Sequence, residues 1–159
     1  MEYEVVFKKQ LTDQIRDTFT AVLKRQGKVQ GDLSSKADRC RWLCIAKIDG
    51  EVAGIGAIKI KTQSDFSDQK ASLPALNSDF EWELGYLYTD PNHTGKGIAK
   101  NIVRLLVDSY GEENLMASTE VSANPAMVRI LEQQGFRLYG KPWKSNIHEN
   151  YLGLFLKYK

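Results

Sequence analysis

Cysteine is scarce in this chain: 159 residues contain two, Cys40 and Cys44. Two thiols cannot build a disulfide framework, and with no histidine or further cysteine beside them they do not read as a zinc site. They read instead as free, half-buried thiols on a strand. Net charge is equally slight. Lys+Arg total 22 against 20 Asp+Glu, leaving +2, which gives no electrostatic argument for nucleic acid or an anionic membrane as a partner. No apolar run approaches the ~20 residues a membrane-spanning helix needs. The opening residues MEYEVVFKKQ lack the pattern of a signal peptide, so a cytoplasmic location is expected. Internal repeats and low-complexity tracts are also missing. What is present is a chain that is 42% hydrophobic and 26% charged. That is enough apolar material to bury a core, and the length suits one domain spanning residues 1–159.

The order of elements follows from periodicity and turn signals. Residues 3–7 read as a first strand. Thr12 can cap a helix whose apolar face is Ile15, Phe19, Val22 and Leu23. Residues 27–40 are polar and carry little pattern. Residues 41–48 and 51–61 read as strands joined by Asp49-Gly50, a two-residue hairpin signal. Residues 62–79 form a long polar connection, and a loop of that length is either functional or a flexible insertion. A strand over 80–89 leads to the turn Asp90-Pro91-Asn92, then to a helix carrying Ile102, Leu105 and Leu106 on one face. Residues 115–121 form a further strand. Asn124 caps a helix with Pro125 at its first position, an apolar face of Met127, Ile130 and Leu131, and a stop at Gly135. Strands at 136–139 and 150–158 close the chain, and Met116 and Met127 are expected in the core. This order predicts a mixed, mostly antiparallel sheet with helices on its faces.

The segment richest in chemistry is Thr94-Gly95-Lys96-Gly97-Ile98-Ala99, between a strand and a helix. Glycines at a helix start let the backbone approach a ligand. The unpaired N–H groups of the first turn and the helix dipole then favour an anion such as a pyrophosphate. Glycines alone would equally fit a plain tight turn. GxxxxGK[ST] is absent, and Gly95-x-Gly97 lacks the third glycine of the dinucleotide fingerprint.

The run from Leu87 through Tyr88, Thr89, Asp90, Pro91 and Asn92 to Ala99 resembles the acetyl-CoA-binding segment of the GNAT N-acetyltransferase superfamily. That segment is a strand, an x-D-P turn, then (Arg/Gln)-x-x-Gly-x-(Gly/Ala), here Thr94-x-x-Gly97-x-Ala99. Asn124-Pro125-Ala126-Met127, continuing to Leu131 and Gly135-Phe136, is similar to the family's N-x-x-(A/M)…L-x-x-x-G-F segment. Asp49-Gly50-Glu51-Val52-Ala53-Gly54 resembles its hairpin. The likeness runs over roughly residues 41–138 and implies an α+β fold: an α/β/α sandwich with a six- or seven-stranded sheet. The strands at 81–89 and 115–121 would run parallel and splay, with helices on both faces. It implies an N-acetyltransferase that takes acetyl-CoA as acyl donor and an amine as acceptor, with no metal; from the slight charge and the lack of a spanning run, no nucleic acid or membrane partner is expected. A homodimer is common in the family. Cofactor contacts would come from Leu87, Tyr88, Thr89, Thr94, Gly95, Lys96, Gly97, Ile98, Ala99 and Asn124. Two departures stand out. Thr94 replaces Arg or Gln, and Leu131 stands where many members carry a tyrosine acid.

An amine acceptor has an ordinary pKa near ~10 and must shed a proton before attack. Glu81 and Glu83 lie two apart on the strand leading into the turn, hence on one face. Glu83 stands at the offset of the glutamate base in several members, with Glu81 as the alternate. By pattern alone both also fit a solvated strand face. His93 and His148 read as surface residues. Leu131 and Thr94 favour the rival reading, a CoA-binding regulatory or partner-binding module without turnover.

Overall fold

The computed structural model describes all 159 residues. Its elements are β1 (Glu2–Phe7), α1 (Asp13–Gln26), β2 (Cys40–Ile48), β3 (Glu51–Ile60), β4 (Trp82–Thr89), α2 (Ile98–Tyr110), β5 (Leu115–Glu120), α3 (Pro125–Gln133), β6 (Arg137–Lys144) and β7 (Tyr151–Lys157). The seven strands form one sheet in the order β1-β2-β3-β4-β5-β7-β6. All resolved pairings are antiparallel except β4 with β5, whose parallel register consists of the single pair Glu83↔Met116. The chain divides into two compact units, residues 1–59 with 84–111 and residues 60–83 with 112–159.

In the first unit, Thr12 caps α1 by accepting a hydrogen bond from the Ile15 N–H. Such a cap contributes ~1 kcal/mol. Asp49 and Gly50 both take positive φ (51° and 83°), as the tight hairpin between β2 and β3 requires. Strand alternation then sends the two sets of β3 side chains to opposite faces. Ile55 and Ala57 join Phe19, Val22 and Leu23 of α1, together with Leu43 and Ile45. Gly54 and Gly56 meet α2: a Cβ at Gly54 would sit 2.8 Å from Ile98, and one at Gly56 would sit 2.6 Å from Ile102. Helices therefore cover both faces of β3, and glycine lets α2 lie close.

Three expectations are corrected here. The buried face of α2 is Ile98, Ile102, Val103, Leu106 and Val107; Leu105 is half-buried, because the i, i+4, i+8 row begins one turn earlier than expected. Cys40 and Cys44 are fully buried, at 2% and 0% exposure. Cys44 pairs with Gly56 on the α2 face, and Cys40 lies in the core beneath α1. Glu81 precedes β4 and is exposed, so it does not share a strand face with Glu83.

In the second unit, residues 62–79 are anchored to the core by Phe66 and Ala71. They form two short 3-10 turns, Gln63–Phe66 and Pro74–Asp79. Phe66 and Ala71 pack with Phe80, Met116, Trp143, Leu154 and Leu156. The segment is pinned to β6 where the Lys141 N–H donates to the Ala71 carbonyl at 3.1 Å. β6 runs past Tyr139 to Lys144, with a register break between Tyr139 and Trp143. Pro142 has no N–H to give the ladder, so the strand bulges there and resumes. Met116 is fully buried, as expected. Met127 is only half-buried, since Leu131 is the single fully buried residue of α3.

Candidate functional site

β4 carries the first group of expected residues. Glu83 is buried at 7% exposure, and its Oε1 accepts the Thr62 N–H at 2.7 Å. A charge-assisted bond of that length holds the carboxylate in one orientation. Glu81 is placed differently. Its charge opposes the burial that lowers the pKa of Lys61, whose ammonium donates to the Asn77 and Phe80 carbonyls at 2.6 and 2.7 Å. Glu81 thus acts as a counter-charge near Lys61.

Further along the strand Tyr86 adopts φ 54°, a left-handed conformation that costs a non-glycine residue ~1–2 kcal/mol. Surrounding contacts hold it there. The Lys59 ammonium lies 5.3 Å from its ring centroid, and Phe19 meets it edge-on at 5.8 Å. Beyond this kink the Asp90 N–H donates to the Ala53 carbonyl of β3 at 2.8 Å. Alternation turns the peptide groups of Leu87 and Thr89 to the other edge. The Leu87 carbonyl there accepts the side-chain amide of Gln26, the last residue of α1, at 2.9 Å. The other atom of that amide, Gln26 Oε1, is buried and has no partner; Asn77 Oδ1 in the second unit is the other such atom. Arg25 of the same helix end pairs with Asp90 at 3.7 Å.

The strand leaves into a built turn. Asp90 Oδ1 accepts the Asn92 N–H at 2.9 Å, residues Pro91–His93 form a 3-10 turn, and the Thr94 hydroxyl donates to the Pro91 carbonyl at 3.4 Å. Gly95 and Gly97 both have left-handed φ, 79° and 77°. A Cβ at either would meet no atom within 4 Å, so conformation and not space requires glycine there. Gly97 is the N-cap of α2 and offers no side chain to cap it. Thr94, Gly95, Lys96 and Gly97 are exposed, Ala99 is half-buried, and Ile98 anchors the first turn in the core. The Lys96 ammonium sits 3.0 Å from His93 Nδ1, adding a cation beside the helix start. Orphan N–H groups, the positive helix end and a lysine together offer chemistry suited to an anion.

In the second unit Asn124 caps α3, its Oδ1 accepting the Met127 N–H at 3.2 Å. Leu131 is buried at 1% exposure. His148 is paired rather than solvated. Its Nε2 lies 3.1 Å from Glu120 Oε1, and its Nδ1 accepts the Asn150 N–H at 3.1 Å. The neutral tautomer protonated on Nε2 satisfies both contacts. Burial pushes the Cys40 and Cys44 thiols up to about 12, so neither is a nucleophile near neutral pH.

The first unit therefore brings together Leu87, Tyr88 and Thr89 with the 94–99 segment, joined by a short turn. Glu83 stands on the same strand, four residues before Leu87. Glu83, Glu81 and Asn124 belong to the second unit, and each has a local role. Sequence reasoning missed Gln26, Thr62 and the Glu120–His148 pair. Gln26 meets Leu87 across 61 positions of chain, and no periodic or motif signal links them.

The model of the acetyltransferase (GNAT) family matches residues 8–136 of the chain. No curated protein matches it. Among solved structures, the chain is similar to Escherichia coli ElaA, with TM-score 0.71, 6% identity and 99% of each chain covered. It is similar to the Escherichia coli ribosomal-protein-S18-alanine N-acetyltransferase, with TM-score 0.65, 12% identity, and 98% of this chain and 93% of that one covered. An aminoglycoside 6'-N-acetyltransferase complexed with coenzyme A gives TM-score 0.63 and 11% identity over 99% of this chain and 96% of that one. At such identities the likeness is one of fold.

Proposed function

The chain belongs to the GNAT acetyltransferase family, and from that premise we propose that it transfers an acetyl group from acetyl-CoA to an amine by direct attack in a ternary complex. The observation that carries this reading is the exposed, uncapped start of α2, with left-handed glycines at 95 and 97 directly after β4 and its Asp-Pro turn. Thr94, Gly95, Lys96, Gly97, Ile98 and Ala99 would hold the CoA pyrophosphate, mainly through backbone N–H groups. Thr94 contributes little by side chain, since its hydroxyl donates to Pro91. The N–H groups of Leu87 and Thr89 would bind the pantetheine amide and polarise the thioester carbonyl, with Tyr88 between them facing β3. Asn124 would add a contact while capping α3.

Acetyl-CoA supplies a thioester carbonyl with a good leaving group. The acceptor ammonium must lose a proton, and Glu83, buried and oriented by the Thr62 N–H, would take it as the nitrogen attacks. Glu81, exposed ahead of the strand and near Lys61, is the reserve base. The acetyl carbon–sulfur bond then breaks, the thiolate leaves with its electron pair, and the nitrogen gives its second proton to water as the amide forms. Leu131, buried in α3, offers it no proton, so water supplies that proton after release. The reading is tested with acetyl-CoA and a mixed panel of small amines and peptides, following thiol release and acetylated product. Amine-dependent release supports it. Tight acetyl-CoA binding without release under any amine would favour a CoA-binding module, the reading to which the buried Leu131 points.

A further inference from the structure

We propose that Lys59 is a positioning residue for acetyl transfer: its ammonium, set against the Tyr86 ring, holds the kink that turns the Leu87 and Thr89 N–H groups away from β3. The inference rests on the acetyl-CoA reading above and adds a residue outside every segment assigned to the cofactor. It starts from the hydrogen bonds on either side of the kink. Ahead of it, the Glu81 carbonyl accepts the N–H of Lys61, the residue after β3, at 3.4 Å. Strict alternation from there would aim the peptide groups of Glu83, Gly85, Leu87 and Thr89 at β3 as well. Beyond the kink the alternation is reversed. The Asp90 N–H donates to the Ala53 carbonyl of β3, and the Tyr88 carbonyl lies 2.9 Å from where a Cβ at Gly54 of β3 would stand. The Leu87 carbonyl is instead given to the Gln26 amide. One extra residue therefore sits in β4, as in a bulge, and Tyr86 at φ 54° is the left-handed residue between the two halves. Unkinked, the strand would aim the Leu87 and Thr89 N–H groups at β3, and neither could reach a thioester.

A left-handed φ on a bulky aromatic residue inside a strand persists only where its surroundings impose it. Two side chains meet the Tyr86 ring. Phe19 of α1 meets it edge-on at 5.8 Å and belongs to the apolar core under that helix. Lys59 is the unusual one. It continues the face of β3 that carries Ile55 and Ala57 beneath α1, yet it is a lysine, and it is 6% exposed. An ammonium taken out of water is costly unless something attracts it. Its Nζ lies 5.3 Å from the Tyr86 ring centroid. A desolvated cation and an aromatic face attract one another by about as much as a left-handed residue costs. The attraction draws the ring toward β3 and offsets the strain in the backbone that carries it. Lys59 thus acts on the reaction through Tyr86 and the two N–H groups beyond it, without touching either substrate.

The test uses the full chain with acetyl-CoA and the best amine of the panel. Lys59→Met keeps the length and removes the ammonium. Its kcat should fall about three- to thirtyfold, the range a cation–ring attraction covers from exposed to desolvated sites. The pH profile of kcat should keep its shape, because the proton transfer is untouched. Affinity for adenosine 3',5'-bisphosphate, which has no thioester, should not move. In infrared difference spectra the thioester carbonyl stretch of bound acetyl-CoA should lie below its free value in the wild type and return toward it in Lys59→Met. A merely structural lysine would leave that band in place. Tyr86→Gly adopts the kink without strain, so adding Lys59→Met to it should cost no further kcat. If Lys59→Met folds poorly, Tyr86→Leu keeps the strain, removes the ring, and should show the same loss and the same band shift. Full kcat in these two single variants, an unshifted band in the wild type, a changed pH profile, lost bisphosphate affinity, or an equal further loss on the Tyr86→Gly background would each overturn the assignment. If the wild type neither binds acetyl-CoA nor releases thiol with any amine, the acetyl-transfer reading itself fails, and that outcome is distinct from these.

Discussion

Replacing Glu83 by glutamine separates its possible chemical role from its structural one. The carboxylate is 7% exposed and takes the Thr62 N–H at 2.7 Å. Glutamine keeps the shape and retains an oxygen for that N–H. A hydrogen bond to a charged group contributes ~1.5–3 kcal/mol and a neutral one ~1. The exchange therefore costs about 1 kcal/mol, partly offset because a buried amide is cheaper to desolvate than a carboxylate. For a chain of this size, ~1 kcal/mol lowers the melting temperature by about 2–4 °C. The catalytic effect should be far larger. Loss of a general base costs ~10²-fold or more in kcat/KM, about 2.7 kcal/mol of transition-state stabilisation. The assay is acetyl-CoA thiol release with the best amine, from neutral to alkaline pH, for wild type, Glu83→Gln and Glu81→Gln. The deficit of Glu83→Gln should be greatest near neutral pH, where an amine of pKa ~10 is protonated. It should shrink at high pH, where free amine needs no base. Glu81→Gln should be mild, since Glu81 is exposed beside Lys61. If the two variants exchange these behaviours, Glu81 is the base. Near wild-type rates in both at neutral pH would refute the carboxylate mechanism.

Gly97→Val should abolish acetyl-CoA binding by calorimetry while lowering the melting temperature by only a few degrees. No atom lies within 4 Å of the new Cβ, so the cost is the ~1–2 kcal/mol of a left-handed β-branched residue; undiminished affinity would remove the pyrophosphate from this loop. Gly140→Ala should be much harsher. Gly140 has φ 69°, and a Cβ there would strike the Ala71 carbonyl and approach Leu73 to 2.9 Å. Backbone strain plus overpacking of ~2 kcal/mol or more should lower the melting temperature by roughly 4–8 °C, measured by calorimetry. Cys40 and Cys44 should resist thiol reagents in the native protein and react once denaturant unfolds it. Their pKa values are raised in the folded state to about 12 from an ordinary 9.0. The stability this represents is intact below pH ~9 and is lost as pH rises toward ~12, so alkaline melts should show a progressive fall that Cys44→Ala reduces.

Local rules made much of this protein legible. The Thr12 cap, the Asp49-Gly50 hairpin and the Asn124-Pro125 helix start depend on a few adjacent residues, and each formed as those residues dictate. The glycines at 95 and 97 read as a helix start open to an anion, and both adopt left-handed φ there. Errors arose where a neighbour distant in sequence decides. Burial of Cys44 depends on α2 lying close over Gly56. The expected strand at 136–139 extends to Lys144, because β7 carries the pairing across the bulge at Pro142.

By itself, then, the sequence determined the elements, their order, the anion-ready start of α2 and the two acidic candidates near β4. These are properties of residues within a turn or a strand of one another. Only the tertiary structure separated those candidates, because orientation and burial come from other segments. Thr62 takes hold of Glu83, while Glu81 falls outside the strand beside Lys61. It also decided that the polar stretch 62–79 is anchored and not a loose loop, because Phe66 and Ala71 find apolar partners on β5, β6 and β7. And it alone set the Gln26 amide against Leu87, since a hydrogen bond spanning 61 residues leaves no trace in local periodicity.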